Sequence, residues 1–263
     1  MGANTDKDDA AQVPVDPEAR VRAMSRRGFV MAGIAAAATL AGFEGLMRAR
    51  EEDGLAWPLR RILQGNERVV RGVLGARRSA PLLTLDRVTL PARVNGDLGL
   101  GDDFDSASWT LTVSPALSPD DDADEFTLDQ IMSLPKHEMI TELHCIEGWT
   151  IVQRWAGARF SDFVARYTRY KDPRSLPAYV GMSTPDGGYY VGLDIEAAMH
   201  PQTLLCYEMN GEPLTLEHGA PLRLVIPVKY GVKNIKRIGE VTFSNARPDD
   251  YWAQQGYDWY AGL

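Results

Sequence analysis

The sequence predicts an α+β fold in which short strands dominate and short helices interrupt them irregularly. Two observations support this prediction. Beyond Pro135, many short segments are apolar or alternate apolar with polar residues, as strands of a half-buried sheet do, and turn-forming residues separate them. Helical spacing is confined to a few short stretches that do not alternate regularly with the strands, which argues against a doubly wound parallel sheet.

Residues 1–45 are predicted to be a leader that precedes the folded protein. Residues 1–24 are polar and lack apolar periodicity, which is typical of disorder. Arg26 and Arg27 then precede an uncharged apolar run over residues 30–43, and this order is typical of an export signal. The run is shorter than the ~20 residues needed to span a bilayer. A retained N-terminal anchor and a short buried helix are the alternatives.

The arginine pair before Phe29 resembles the twin-arginine export signal. That route carries proteins across the membrane already folded, which suits an enzyme that takes up its cofactor in the cytoplasm. The resemblance implies a periplasmic protein, or one at the outer face of the cytoplasmic membrane.

Residues 46–80 are predicted to form an amphipathic helical linker. Between Leu55 and Leu74, apolar residues recur at near-helical spacing with arginines between them. These arginines either face solvent or lie near lipid headgroups or a partner. After Pro81 the pattern changes to short alternating segments, so we place the catalytic domain at residues 81–263.

Within the catalytic domain the same patterns place the individual elements. Strands are predicted at Leu82–Leu90, Trp109–Val113, Glu138–Cys145, Tyr179–Ser183, Thr203–Met209, Leu222–Val228 and Ile235–Phe243. Helices are predicted at Phe160–Tyr167 and Asp194–Met199, and another begins near Thr127, which has capping-box spacing to Gln130. The acidic run Asp120–Glu125 is predicted to be an exposed loop, and Asn210–Gly211 a hairpin turn.

Composition and motifs exclude several classes of function. The chain has 28 basic and 36 acidic residues and a net charge of -8, which argues against a nucleic-acid partner. It contains no GxGxxG, P-loop or nucleophile-elbow pattern, so a nicotinamide or ATP enzyme is not expected. Its two cysteines lack the CxxC spacing of zinc or iron–sulfur sites.

The first pattern that points to chemistry surrounds Cys145. This cysteine ends a predicted strand and is followed by Glu147, Gly148 and Trp149, then by a W-x-G pattern at residues 155–157 and an amphipathic helix. A thiolate is a soft ligand that suits a high-valent, sulfur-bound metal. The plainer alternative is a buried free cysteine that acts as a small apolar residue.

A second, longer pattern covers residues 192–236. It comprises G-L-D at 192–194, A-M-H-P at 198–201, N-G-E-P-L at 210–214, H-G-A-P-L-R-L-V-I-P at 218–227 and K-Y-G-V-K at 229–233. Together the two patterns resemble the sulfite oxidase superfamily of molybdopterin-dependent oxidoreductases, over most of the C-terminal half of the chain. The resemblance implies a sulfite-oxidase-type molybdopterin-binding domain and a molybdenum–molybdopterin cofactor.

The same stretch holds a dense basic cluster within an acidic protein. The cluster consists of Arg223, Lys229, Lys233, Lys236 and Arg237. A guanidinium fork with neighbouring lysines and backbone amides is a usual way to hold a phosphate such as that of molybdopterin, whereas the alternative is a solvated basic turn. Gly231 lets the backbone approach a ligand.

The resemblance also implies roles for individual residues. Cys145 is implied to ligate molybdenum. Contacts with the pterin or its phosphate are implied for Asn95, Thr184, His218, Arg223, Asn234, Ile235 and Lys236. The aromatic residues or histidine that usually follow the family's N-terminal asparagine are absent after Asn95.

The residues after Cys145 favour sulfoxide reduction over sulfite oxidation. Sulfite oxidases follow the cysteine with a G-N-R run whose arginine helps to bind the anion, whereas a carboxylate such as Glu147 repels sulfite. The pattern instead resembles the protein-methionine-sulfoxide reductase branch of the superfamily. That resemblance implies a monomeric catalytic subunit that acts on small-molecule or protein-bound sulfoxides and receives electrons from a membrane haem subunit. Glu147, Trp149 and Tyr230 are candidate pocket residues.

Three alternatives stay open at this point. One is sulfite-oxidase-like oxidation. Another is a cofactor-carrying electron-transfer subunit of a membrane complex with little activity of its own. The third is an exported scaffold without metal, in which Cys145 and Cys206 form a disulfide. Because the chain ends soon after the basic cluster, at Leu263, we expect neither a dimerisation domain nor a fused haem domain.

Overall fold

A computed structural model describes residues 34, 38–74, 78–101, 104–115, 123–170 and 172–263. The contacts within the chain divide it into two units, residues 1–50 and residues 51–263. In the first unit, residues 38–47 form a helix on which Leu40, Phe43 and Met47 are exposed. Among the described residues, no helix combines the length and the apolar character needed to cross a membrane. The predicted Arg26 and Arg27 signal lies outside the described residues.

The second unit begins with the predicted amphipathic helix, which the structure confirms. A small hairpin of β1 (Glu51–Glu52) and β2 (Leu55–Ala56) leads into α1 (Trp57–Leu74). The buried guanidinium of Arg60 donates hydrogen bonds to the carbonyl oxygens of Ala253 at 2.7 Å and Tyr257 at 2.8 Å. Helix α1 therefore packs as part of the larger unit.

The remaining strands of the described residues form two sheets. They are β3 (Leu111–Pro115), β4 (Asp124–Phe126), β5 (Lys136–His144), β6 (Thr150–Arg159), β7 (Tyr179–Ser183), β8 (Tyr190–Asp194), β9 (Leu204–Met209), β10 (Glu212–Pro213), β11 (Arg223–Val225) and β12 (Glu240–Ser244). One sheet has the order β10-β9-β6-β5, with β11 paired to β9, and the other has the order β4-β3-β12-β7-β8. Strands β3 and β12 are parallel.

Among the described residues, three short helices lie between strands, namely α2 (Leu128–Met132), α3 (Phe160–Tyr167) and α4 (Ile195–Ala198), and α5 (Tyr251–Gln254) follows β12. The main core cluster takes apolar side chains from both sheets and from α3, including Ala158, Leu205, Val180, Phe243 and Phe163. The two sheets therefore share one core. Mixed sheets with short irregular helices confirm the predicted α+β class.

Local signals in the sequence were accurate where they had a short-range physical cause. The capping box is confirmed, since the Thr127 hydroxyl accepts from the Gln130 amide while the Gln130 side chain accepts from the Thr127 amide. The turn at Asn210–Gly211 is also confirmed, with positive φ angles of 57° and 92° that a tight hairpin requires.

Other predicted strands are wrong or too long. Leu82–Leu90 contains the 3-10 turn Leu85–Arg87 instead of a strand, and Leu82, Leu85 and Leu90 are exposed to solvent. The prediction for Ile235–Phe243 was too long: the strand begins only at Glu240, after Arg237 adopts a positive φ of 49°. Leu222–Val228 likewise shortens to Arg223–Val225.

The sequence pattern missed the long buried strand β6 and the buried strand β8, and it misassigned part of an acidic segment. Strand β6 is buried along most of its length, so it lacks the alternation that identifies a half-buried strand, and β8 is buried in the same way. Within the predicted acidic loop, residues 120–122 lie outside the described residues, while Asp124–Phe126 pairs with β3 as strand β4.

Candidate active site

A cavity of about 340 Å³ lies beside the turn that joins β5 to β6. Its walls come from residues 92–98, from the turn itself, from residues 218–236, and from Trp252 and Tyr257 near the end of the chain. Six of the eight predicted site residues line it, namely Asn95, Cys145, His218, Arg223, Asn234 and Lys236.

Cys145 lies directly after β5, in the strand-end position that the sequence predicted. The turn is closed by hydrogen bonds from the Cys145 amide to the Trp149 carbonyl at 2.9 Å and from the Gly148 amide to the Cys145 carbonyl at 3.1 Å. Gly148 has a positive φ of 87°, which favours glycine at this position. The turn therefore holds the thiol at the cavity wall.

The Cys145 thiol is partly buried and lies next to a carboxylate. Its Sγ is 3.8 Å from Glu147 Oε2. Burial raises the pKa of the Cys145 thiol, and the negative charge of Glu147 adds to this effect. Without a bound cation the sulfur is therefore a neutral thiol at neutral pH, and a metal ion would favour the thiolate.

Glu147 and Trp149 form one structural group at this end of the cavity. The Trp149 indole donates from Nε1 to Glu147 Oε2 at 2.7 Å. The guanidinium carbon of Arg93 lies 4.5 Å from the centre of the Trp149 ring, a cation–π distance. Arg93 also lines the cavity and brings positive charge close to Cys145. The Glu147 charge is thus partly balanced by Arg93, which the sequence argument did not assign to the site.

Arg223 supplies a buried positive charge to another part of the cavity wall, close to Lys236 and His218. Its guanidinium donates to the carbonyl oxygens of His218 at 3.0 Å and Asn234 at 3.3 Å, and its Nε has no hydrogen-bond partner among the described residues. Burial lowers the pKa of Arg223 to about 10, so the side chain is still charged at neutral pH. An unpaired donor on a buried cation fits an anionic ligand.

Lys236 lies beside Arg223 and also lacks a carboxylate partner among the described residues. Its Nζ donates to the carbonyl oxygens of Asn95 at 2.8 Å and Gly96 at 2.9 Å. Burial, together with the positive charge of Arg223, lowers the pKa of Lys236 to about 8. Asn95 therefore meets the predicted cofactor-binding segment through its backbone.

His218 and Asn234 complete this part of the cavity wall in different ways. Burial and the nearby positive charges of Arg223 and Lys236 lower the pKa of His218, so its ring is neutral at neutral pH. The Asn234 side chain is used within the fold: Oδ1 accepts from the Ile226 amide at 2.8 Å, and Nδ2 donates to the Tyr230 carbonyl at 3.1 Å. It fixes the turn that lines the cavity.

Two glycines allow close approaches that shape the cavity. A Cβ on Gly231 would lie 3.3 Å from the His144 carbonyl oxygen, so this glycine lets the 231–234 turn pack against the Cys145 turn. Gly219 has a φ of 98°, and a Cβ there would lie 2.7 Å from Lys236 Cβ. A larger residue at either position would displace the cavity wall.

Thr184, Ile235 and Tyr230 do not line this cavity. Thr184 is buried, donates to Asp186 Oδ1 at 2.6 Å, and borders a separate open groove. The Ile235 side chain is buried in the main core, while its carbonyl accepts from the Leu224 amide at 2.9 Å. The side chains of Thr184 and Ile235 thus lie outside the Cys145 cavity, because each is engaged by neighbouring protein groups.

The predicted basic cluster is also divided by the structure. Lys229 forms a buried ion pair with Asp194 at 3.0 Å, and Lys233 forms one with Asp250. Arg237 donates to the Gly101 carbonyl at 3.0 Å. None of these three side chains lines the cavity, so the expected phosphate cluster reduces to Arg223 and Lys236.

Cys145 and Cys206 do not form a disulfide with each other. Both Cys145 and Cys206 are free thiols. Cys206 is buried within β9, where its Sγ donates to the Glu208 carbonyl at 3.1 Å. Burial raises the pKa of Cys206 to about 12, so it is neutral. The alternative of a Cys145–Cys206 disulfide is therefore not found in this structure.

Comparison with known proteins relates this site to one family. Residues 99–252, more than half of the chain, match the oxidoreductase molybdopterin-binding domain. The match includes Cys145 and every cavity residue from His218 to Lys236. The residues near the N-terminal side of the cavity, such as Asn95, lie outside the match.

Several curated relatives bear related names. A protein of Azospira oryzae, provisionally named a protein-methionine-sulfoxide reductase subunit, is 34% identical over 185 residues, which is 70% of this chain and 68% of that protein. The protein-methionine-sulfoxide reductase catalytic subunit of Xanthomonas axonopodis pv. citri is 35% identical over 158 residues, 55% of this chain and 47% of that protein. That of Ralstonia nicotianae is 34% identical over 155 residues, with coverages of 52% and 46%.

The chain spans about half the length of these catalytic subunits. Among solved structures, the sulfane dehydrogenase SoxCD of Paracoccus pantotrophus is similar, with a TM-score of 0.47 and 18% identity, over 55% of this chain and 40% of that one.

Proposed function

This chain belongs to the family of oxidoreductase molybdopterin-binding domains, and we propose that it reduces a sulfoxide to a thioether. As a member of that family it is an oxidoreductase with a molybdenum–molybdopterin cofactor. The direction of reaction, the substrate, the electron donor and the location in the cell are parts of the proposal.

The cavity residues fit this cofactor. The Arg223 Nε donor is buried and unpaired, and Lys236 lies beside it, so this part of the cavity offers two cations to a phosphate. Cys145 offers a sulfur ligand in the same cavity. When bound, the cofactor supplies the two-electron chemistry of oxygen-atom transfer.

The observation that carries the choice of substrate is the carboxylate beside Cys145. Glu147 Oε2 lies 3.8 Å from the thiol sulfur, and the Trp149 indole holds it there. This position suits a neutral substrate, because a fixed negative charge opposes the approach of sulfite. Arg93 reduces the field of Glu147 at Cys145 but does not reverse it, because the charge of Glu147 acts on the thiol more strongly than that of Arg93.

The other walls near Cys145 suit the organic part of a sulfoxide. Leu98, Ile146, Met209 and Trp252 line the cavity with largely apolar surface. A methyl thioether packs well against such side chains. The protein's contribution is then to bind the apolar arms of the substrate, exclude water and present the S=O group toward Cys145.

The reaction balances as a two-electron reduction. The sulfoxide gains two electrons and two protons, the S=O bond breaks, and a thioether and water leave. We propose that a membrane haem subunit supplies the electrons and that the substrate is methionine sulfoxide, free or within a polypeptide. The names of the curated relatives support this substrate. The apolar run behind Arg26 and Arg27 supports export to the periplasm.

The decisive experiment compares two reactions of the cofactor-loaded protein. With reduced methyl viologen as the electron donor, we expect turnover of methionine sulfoxide; with ferricyanide as the acceptor, we expect much slower oxidation of sulfite. Faster sulfite oxidation than sulfoxide reduction would contradict the proposal. Cofactor that is reduced by viologen without any substrate turnover would instead favour the electron-transfer subunit.

A variant ties that result to Glu147. Glu147→Gln removes the negative charge and keeps the side-chain size, so we expect kcat/KM for sulfite to rise roughly tenfold, a modest fraction of the repulsion between close charges. Glu142→Gln is the matched control, because Glu142 lies on β5 and pairs with His144. Equal effects of the two changes would remove Glu147 from the specificity argument.

A further inference from the structure

Two buried donors without partners line the same cavity. One is Arg223 Nε, described above. The other is Trp155 Nε1, on strand β6, in a side chain only 1% exposed. A buried indole N–H normally has a hydrogen-bond partner, because leaving it unpaired costs free energy.

The contrast with other tryptophans of the described residues shows that Trp155 is unusual here. Trp109 donates to the Ile238 carbonyl at 2.9 Å, and Trp259 donates to the Pro248 carbonyl at 3.0 Å. Each of these two side chains is buried and has a hydrogen-bond acceptor for its N–H within the protein. Trp155 is buried as well, but its N–H has no acceptor among the described residues.

Trp155 and Arg223 are also in contact. The guanidinium carbon of Arg223 lies 4.8 Å from the centre of the Trp155 ring, so the ring supports the cation through a cation–π contact. Both residues line the cavity, and neither of the two donors has an acceptor in the part of the chain that the structure describes. Two neighbouring unpaired donors, one of them cationic, are suited to an anionic or oxygen-rich ligand group.

We propose that Trp155 is a cofactor-binding residue, which donates its indole N–H to an acceptor of the pterin or its phosphate beside Arg223. In the family pattern around the cysteine, Trp155 is only the first residue of the W-x-G run, and that pattern implies no contact between Trp155 and the cofactor. This inference depends on the family's cofactor, and it holds whichever direction the oxygen atom moves.

The test is Trp155→Phe in the full chain, with the cofactor and without it. Phenylalanine keeps an aromatic ring under Arg223 and removes the N–H. We expect the bound pterin to be released roughly tenfold faster, the scale of one lost hydrogen bond, as measured by the fluorescence of oxidised pterin. The cofactor-free variant should lose less stability than Trp109→Phe, because both changes remove buried volume but only Trp109→Phe also removes a hydrogen bond made within the protein.

Trp109→Phe is the matched control. It removes an indole N–H that has a protein acceptor, so we expect it to lower the unfolding temperature with and without cofactor and to leave pterin release unchanged. If Trp155→Phe behaved like this control, or released pterin at the wild-type rate, Trp155 would be a packing residue and the proposal would be overturned.

A second substitution separates the N–H from the shape of the ring. Incorporation of 3-benzothienylalanine at position 155 replaces the ring N–H with sulfur and keeps the size of the indole. We expect the same faster release of pterin as in Trp155→Phe. Wild-type retention in this variant would show that the phenylalanine effect came from lost volume, and it would also overturn the proposal.

Discussion

Two pairs of basic residues lie close together in the chain but have different surroundings. Lys229 and Lys233 are buried against Asp194 and Asp250, and each Nζ also lies over an aromatic ring. Arg223 and Lys236, in contrast, donate hydrogen bonds only to backbone carbonyl oxygens among the described residues. Within these two pairs, a carboxylate partner identifies the cations that stabilise the fold, and its absence leaves Arg223 and Lys236 able to bind an anion.

The two pairs act on opposite sides of the same turn. The paired lysines attach residues 229–233 to strand β8 and to the C-terminal segment, since Lys233 also donates to the Gly192 carbonyl and Lys229 to the Tyr260 carbonyl. The other side of the turn faces the cavity through Gly231 and Asn234. The ion pairs of Lys229 and Lys233 therefore hold the turn in the position in which Arg223 and Lys236 line the cavity.

The largest effect is expected when the buried ion pair between Lys233 and Asp250 is broken. Asp250→Ala leaves the Lys233 ammonium buried without a counter-charge and also removes acceptors for the Gly192 and Ala253 amides. We expect a loss of about 3–5 kcal/mol in the free energy of unfolding, measured by urea denaturation of the cofactor-free protein. Asp249→Ala, at the exposed neighbouring position, should change it little. A similar loss in both variants would remove the distinction between the pairs.

A smaller effect is expected for the binding cation. Lys236→Gln should weaken the binding of sulfate to the cofactor-free cavity tenfold or more, because a hydrogen bond to a charged group contributes ~1.5–3 kcal/mol. Its effect on unfolding should stay below about 1 kcal/mol. Isothermal titration measures the affinity, with Lys136→Gln, an exposed lysine paired with Glu208, as the control. Strong destabilisation without a change in affinity would place Lys236 with the structural pair.

The smallest expected effect is a dependence on pH. Because the pKa of Lys236 is lowered to about 8, this lysine is charged below pH 8 and becomes neutral as the pH rises above it. Sulfate keeps its charge throughout this range, so its affinity should fall several-fold between about pH 7 and pH 9. The same titration with Lys236→Gln should show a nearly flat profile. An affinity that rises with pH would contradict the assignment.

Much of the fold and part of the site could be predicted because their causes are local. Helix α3 and strand β7 follow from short-range apolar spacing, and the position of Cys145 follows from the strand before it. Strand β6 could not be found in this way, since burial on both faces removes the alternation. In Leu82–Leu90, by contrast, apolar side chains led to the prediction of a strand where the structure has a 3-10 turn.

The remaining site residues depend on contacts between distant parts of the chain. Charge alone does not separate Lys233 from Lys236, because the difference lies in Asp250, which is remote from the basic cluster until the chain folds. Arg93 was not assigned because its partner, the Trp149 ring, belongs to another segment. The indole of Trp155 resembles any buried tryptophan in the sequence, and only the missing acceptor distinguishes it.

The guanidinium of Arg60 links the beginning and the end of the larger unit. It donates hydrogen bonds to carbonyl oxygens of the last helix and of the turn after it, at sequence separations of 193 and 197 residues. The last segment in turn carries Asp250 and the Tyr260 carbonyl, which hold the lysines behind the cavity. In amide hydrogen exchange, helix α1 and the C-terminal segment should consequently open as one cooperative unit, and each such opening would loosen the cavity wall.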